Sequence, residues 1–273
     1  MTASPDLTVN DTGPKLLLWN AKERADRPAM REKYLGIWQT WSWSEMAGEV
    51  EAIAGGFKAL GLARGDRISI IGDNRPRLYW SIIAAQTLGA VPVPVYQDAV
   101  AEEMQYVLEH AESRFIVCEN QEQVDKVLQI KDECPKIETV IYADDRGMRD
   151  YNQPFVHNFD DVIAQGRKYN QDNPDAYTSE IAKGKGADTS IMLYTSGTTG
   201  RPKGVVLTYD NILKTAYNAV KFEGLQESDE ILAYLPMAWV GDHIFSYAQA
   251  LTSGLCTACP ESSDTVLIDL QEL

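Results

Sequence analysis

Four short apolar runs, 67–71, 91–95, 115–118 and 139–142, recur along the first half of the chain, each separated from the next by a stretch of helical character. Runs without polar alternation suit strands buried on both faces, and helices between them imply parallel pairing with right-handed crossovers. The expected fold class is therefore α/β, mainly parallel sheets with helices on both faces. In such sheets phosphate sites lie at the carboxyl ends of strands.

Local signals sharpen the outline. Ser42 and Glu45 have capping-box spacing, and Met46, Val50, Ile53, Phe57 and Leu60 follow at helical intervals, with Gly61 as a stop. Asn74 is placed to cap a helix over 75–88 closed by Gly89, Asp98 one reaching Ala111, and Thr208 one over 209–222 ending near Gly224. Pro92 and Pro94 weaken the strand at 91–95, since each removes a ladder donor. The chain divides into an N-terminal extension (1–18), a first α/β region (19–166), a surface linker (167–188) rich in Asn, Asp, Gly and Lys, and the start of a second region (189–273).

At 273 residues and 44% hydrophobic composition, a sizeable core is available. The balance of 25 Lys+Arg against 40 Asp+Glu, net −15, repels nucleic acid and anionic lipid over the surface as a whole. Any bound phosphate must be held locally. Residues 1–14 lack the basic and apolar regions of a signal peptide, and the longest uncharged stretch, 79–95, is short for a membrane span and contains Gln86, Thr87, Pro92 and Pro94. The chain reads as cytoplasmic, with peripheral membrane contact left open. Cys256 and Cys259 form one C-x-x-C without a second pair, and His110, His157 and His243 are scattered, so no metal site is expected and the two thiols read as core. Trp38, Trp41, Trp43, Tyr79 and Trp80 read as core and staple residues, and Glu102-Glu103 and Asp144-Asp145 as solvated surface.

The segment that bears chemistry is Tyr194-Thr195-Ser196-Gly197-Thr198-Thr199-Gly200-Arg201-Pro202-Lys203-Gly204-Val205, four hydroxyls and three glycines within ten residues of a strand end. Glycines let successive amides point into one concavity, hydroxyls add neutral donors and Lys203 adds a point charge, a combination suited to a phosphate chain. It is neither a Walker loop, because Pro202 and Val205 stand where the second glycine would fall, nor a dinucleotide fingerprint. A strand follows it, so no helix dipole is the main anion holder. Taken alone, such a loop reads equally well as a flexible turn.

Residues 194–205 resemble the signature loop of the adenylate-forming superfamily, which includes acyl-CoA synthetases, luciferases and adenylation domains of peptide synthetases. Asp188 and Leu207-Thr208-Tyr209-Asp210-Asn211 are also similar, although Tyr209 stands where many members carry His. Gly65-Asp66-Arg67, Asn74-Arg75-Pro76 and the run Leu88-Gly89-Ala90-Val91-Pro92 are similar to early segments of bacterial long-chain fatty acyl-CoA synthetases. The resemblance implies that Thr195, Ser196, Gly197, Thr198, Thr199, Gly200 and Lys203 close over the β- and γ-phosphates of Mg2+-ATP. Thr195 and Lys203 would then serve the chemical step, steadying the departing pyrophosphate.

Leu235-Pro236-Met237-Ala238-Trp239-Val240-Gly241-Asp242-His243 resembles the family's acyl-pocket motif, with Trp239 where long-chain members usually have His. Trp239 and Gly241 become candidates for the substrate pocket, Trp239 either narrowing it or packing in the core; His243 is not expected to act as a base. The resemblance implies an acid-thiol ligase using ATP, Mg2+, a fatty acid and coenzyme A. Alternatives are adenylation of an aryl or amino acid for a carrier protein, or a non-catalytic nucleotide-binding module. The family's later elements, a Thr-Glu loop, a ribose-binding Asp and a C-terminal domain with a catalytic Lys, are not found. The expectation is a truncated N-terminal domain, inactive alone, whose uncovered apolar surface favours association with a second copy or the missing part.

Overall fold

The computed structural model describes residues 4–195 and 201–273. Helix α1 (Gly13–Glu23) is capped by Thr12, carries Pro14 in its first turn where no donor is needed, and buries Leu16 and Leu17 completely. It begins inside the segment expected as an extension, and Asn20 ties it to the Leu251 carbonyl at 2.8 Å. A hairpin of β1 (Pro28–Tyr34) and β2 (Ile37–Ser42) leads into α2 (Trp43–Ala59). The capping box forms as expected: the Glu45 amide donates to Ser42 Oγ and the Ser42 amide donates to the Glu45 carboxylate.

The alternating region then runs β3 (Arg67–Ile71), α3 (Pro76–Thr87), β4 (Val91–Val95), α4 (Ala101–His110), β5 (Phe115–Cys118), α5 (Gln121–Gln129), β6 (Thr139–Tyr142) and β7 (Val156–Asn158). These strands make a five-stranded parallel sheet in the order β4-β3-β5-β6-β7. Ile70, Val117 and Ile141 lie in register and join the cluster holding Phe57, Tyr79 and Ile83; their neighbours Ile71, Ile116 and Val140 join Met104 and Val124 on the opposite face. Strand periodicity of two thus buries both faces under helices. β4 ends the hydrogen-bonded order with the later strand Thr189–Thr195 lying beside it, and Pro92 and Pro94, two residues apart, both place their missing donors on the side away from β3.

Two helix starts depart from the sequence reading. Asn74 does not cap α3: Arg75 occupies the cap position without a side-chain bond, and the Asn74 amide is committed to partners elsewhere. Asp98 does not cap α4, which begins three residues later behind Val100; Glu102 and Glu103 supply the negative charge at its first turn.

Beyond β7, α6 (Phe159–Asp172) lies against α2 so closely that a Cβ on Gly166 would sit 1.8 Å from the Ala52 carbonyl oxygen, and α7 (Ala176–Lys183) follows. The end of α6 and all of α7 occupy the stretch expected as a linker, 167–188: Tyr177 and Ile181 are buried in the main core despite the polar composition around them. β8 (Thr189–Thr195) and β9 (Lys203–Thr208) form an antiparallel pair, followed by α8 (Tyr209–Glu223), which Thr208 caps and Gly224, at φ 73°, ends. Then come β10 (Glu230–Leu232), the single turn α9 (Val240–Asp242), a π-helical turn His243–Ala248, α10 (Gln249–Ser253), β11 (Cys256–Cys259) and α11 (Val266–Gln271). β10 and β11 complete a four-stranded mixed sheet, β10-β11-β1-β2. No helix among the described residues is long and apolar enough to cross a membrane.

Candidate functional site

The pairing of β8 with β9 sets the geometry of the glycine-rich segment. Thr195 pairs with Lys203 and Tyr194 with Gly204, so the loop leaves and re-enters the hairpin at one point. Residues directly opposite on an antiparallel pair share a face, which places the Thr195 and Lys203 side chains, both exposed, side by side at the mouth of the loop. Ser196, Gly197, Thr198, Thr199 and Gly200 lie outside the described residues.

Helix α4 braces both stems. The Tyr106 hydroxyl donates to the Pro202 carbonyl at 3.0 Å, with the Arg201 guanidinium 5.6 Å from the centre of its ring. One turn on, His110 Nδ1 and the Tyr194 hydroxyl share a hydrogen bond of 2.7 Å. Between α4 and the stems lies a groove of about 830 Å³ lined by Tyr96, Glu102, Tyr106, Thr195 and Arg201, large enough for a nucleotide-sized ligand.

The second motif wraps a tight turn in which the Trp239 amide donates to the Pro236 carbonyl at 2.8 Å. Met237 and Ala238 are buried, whereas Trp239 is 49% exposed, which excludes the core reading of its ring. A Cβ on Gly241 would lie 3.2 Å from that ring and 3.3 Å from Leu235 Cδ1, so the Trp239 ring sits directly over Gly241. The candidates Trp239 and Gly241 are thus adjacent.

The next two residues turn inward. Asp242 is buried and accepts from the Tyr79 hydroxyl at 2.8 and 2.9 Å and from Asn74 Nδ2 at 3.0 Å. Burial raises its carboxyl to about 6, opposed by these hydrogen bonds and one with Ser246. His243, also buried, stacks on Tyr247 at 4.5 Å, and burial lowers its imidazole to about 3. It is a neutral packing residue, consistent with its exclusion as a base. Asn74 and Tyr79 carry no sequence signal for this role; they had read as a cap and a core aromatic.

Helix α3 links the two motifs. Tyr79 near its start holds Asp242, while Gln86 near its end donates to the Ser190 carbonyl at 2.9 Å, at the base of β8, and accepts from Tyr247. Cys256 and Cys259 are free and buried on β11, where burial pushes the Cys256 thiol to about 12. Among the described residues no group of three or more His, Cys, Asp or Glu is arranged to hold a metal ion.

The chain is similar to the long-chain-fatty-acid–CoA ligase ACSBG2 of Xenopus laevis, 31% identical over 242 residues that cover 86% of this chain and 31% of that protein. It spans about a third of the length of the curated relatives it matches. Its fold is similar to that of the anthranilate CoA ligase AuaEII, solved with anthranoyl-AMP, at a TM-score of 0.81 and 20% identity over 95% of this chain and 46% of that one. The N-terminal domain of FACL13 from Mycobacterium tuberculosis superposes with a TM-score of 0.74 and 22% identity, over 95% of this chain and 60% of that one. Residues 17–272 match the AMP-binding enzyme family, and the chain belongs to that family.

Proposed function

We propose that the protein carrying this chain activates a fatty acid with ATP and passes it to coenzyme A. A carboxylate oxygen attacks the α-phosphorus of ATP and pyrophosphate leaves; the thiol of coenzyme A, losing its proton, then attacks the acyl carbonyl and AMP leaves. The observation that carries this reading is the pairing of Thr195 with Lys203 across the hairpin, which sets a hydroxyl and an ammonium together at the mouth of the Ser196–Gly200 loop. Donors fixed at that point meet the charge that grows on the departing pyrophosphate, where such contacts contribute most to rate. Mg2+ would arrive with the nucleotide phosphates and neutralise part of their charge.

A fatty acid is favoured by the family relatives, and the half-exposed Trp239 ring favours a second reading, an aryl or amino acid delivered to a carrier protein. Thioester formation measured with palmitate and with benzoate, offering free coenzyme A or a pantetheinylated carrier, separates the two. Palmitoyl-CoA as the main product supports the first. Product only on the carrier, or ATP binding without any turnover, overturns it.

A further inference from the structure

Asn74 touches both ends of the Trp239 turn from a point 161 residues away in sequence. Its Nδ2 lies 3.0 Å from the Leu235 carbonyl, 3.0 Å from Asp242 Oδ1 and 2.7 Å from the Tyr79 hydroxyl. Leu235 opens the turn and Asp242 closes it, so one amide group sets the separation of the two ends. Tyr79 reinforces the closure by donating to the Asp242 carboxylate. The Asn74, Tyr79 and Asp242 side chains are buried and Leu235 half-buried, so breaking one partner leaves the others unsatisfied and the arrangement resists adjustment. The segment between the anchors contains the Pro236–Trp239 hydrogen bond and the contact of Trp239 with Gly241. A π-helical turn follows immediately, a geometry that redirects side chains and recurs at functional sites.

We propose that Asn74 and Tyr79 are positioning residues that fix the Trp239 ring through Asp242 and Leu235, and thereby set which acids the pocket accepts. This rests on the assignment of Trp239 to the acid pocket. The clamp acts through the Leu235 carbonyl and the Asp242 carboxylate, so both are positioning residues and not catalytic ones. Losing it should let the ring move and relax discrimination between acids, while leaving the nucleotide end of the site, which belongs to β8 and β9, unaffected.

The test has two arms. In the first, the chain is labelled with 5-fluorotryptophan and the 19F resonance of Trp239 is assigned by its loss in Trp239→Phe. Tyr79→Phe and Asn74→Ala should shift or broaden that resonance. Ser69→Ala, which breaks a buried hydroxyl pair with Ser113 in the other sheet, should not. Asn74→Asp paired with Asp242→Asn restores the hydrogen bond between the two positions but leaves the Leu235 carbonyl without its donor, so it should return the signal only part of the way. An unmoved Trp239 resonance in both single variants overturns the proposal. In the second arm, KM values for palmitate, decanoate and benzoate are measured in the protein that carries this chain. Tyr79→Phe should change the ratio of these KM values at least fivefold with the KM for ATP unchanged. An equal change for every acid, or a fall in kcat alone, overturns the proposal. Absence of acid-dependent turnover in the unmutated protein would instead count against the functional assignment, and the resonance arm would still decide the positioning role.

Discussion

The Tyr194 hydroxyl lies 2.7 Å from Nδ1 of His110, joining the residue that precedes the glycine-rich loop to the last turn of α4. The stem that follows the loop is held by Tyr106, one helical turn earlier, through the Pro202 carbonyl. Tyr194→Phe should therefore lower stability by about 1 kcal/mol, the usual net value of a partly buried hydrogen bond, seen as a lower urea midpoint with an unchanged slope. Tyr106→Phe should cost no more than this, because the ring beneath Arg201 remains. A midpoint unchanged in both variants would show that α4 does not brace the stems.

The contact between α2 and α6 depends on the absence of side chains at Gly55, Gly56 and Gly166. A Cβ on Gly166 would sit 1.8 Å from the Ala52 carbonyl oxygen, and one on Gly56 would sit 2.3 Å from the Val162 carbonyl oxygen. The obstructing atoms are backbone, so one helix must move away. Gly166→Ala should destabilise by about 2 to 3 kcal/mol, the upper range for overpacking, despite the gain in helix propensity. Gly48→Ala, on the same helix α2 with nothing within 4 Å of the added carbon, should be neutral or slightly stabilising in the same denaturation assay.

Asp242 and His243 titrate in opposite senses. Burial holds the carboxyl at about 6 against an ordinary 3.8, so its contribution to stability is full below 3.8 and is lost as pH rises through 6. Burial holds the imidazole at about 3 against an ordinary 6.5, so its contribution is full above 6.5 and is lost as pH falls. Between pH 4 and 6 the two nearly cancel, about one proton each. Asp242→Asn removes only the falling component. Relative to the unmutated protein, its stability should rise by about 1.4 kcal/mol per pH unit across that window. Parallel stability curves would show that Asp242 is ionised throughout.

The parallel sheet and its helices were legible because their signals are local: contiguous β-branched runs, the Ser42–Glu45 box, and Thr208 with Gly224 at the two ends of α8. What escaped depends on distant partners. Strand β1 carries Arg31, Glu32 and Lys33, which argue against burial, yet Lys33 is buried because Asp269 and Glu272 neutralise it from more than 230 positions away. Asn74 looked like a cap for the same reason. Its true acceptors, Leu235 and Asp242, come near only after β10 and β11 have joined the sheet of β1. Of the candidate site, motif resemblance singled out Thr195, Lys203, Trp239 and Gly241, but the antiparallel pairing that sets Thr195 opposite Lys203 was not legible. Nor was the clamp on the Trp239 turn.

The Thr195–Lys203 mouth is expected to handle the phosphates of ATP during activation of a carboxylic acid. Exchange of labelled pyrophosphate into ATP, measured with palmitate in the protein that carries this chain, tests it directly. Exchange should require the acid, and Lys203→Ala and Thr195→Ala should each slow it by about 10- to 150-fold, equivalent to the roughly 1.5 to 3 kcal/mol of a lost charge-assisted or transition-state hydrogen bond. Exchange that proceeds without any acid, or at an unchanged rate in both variants, would contradict the account.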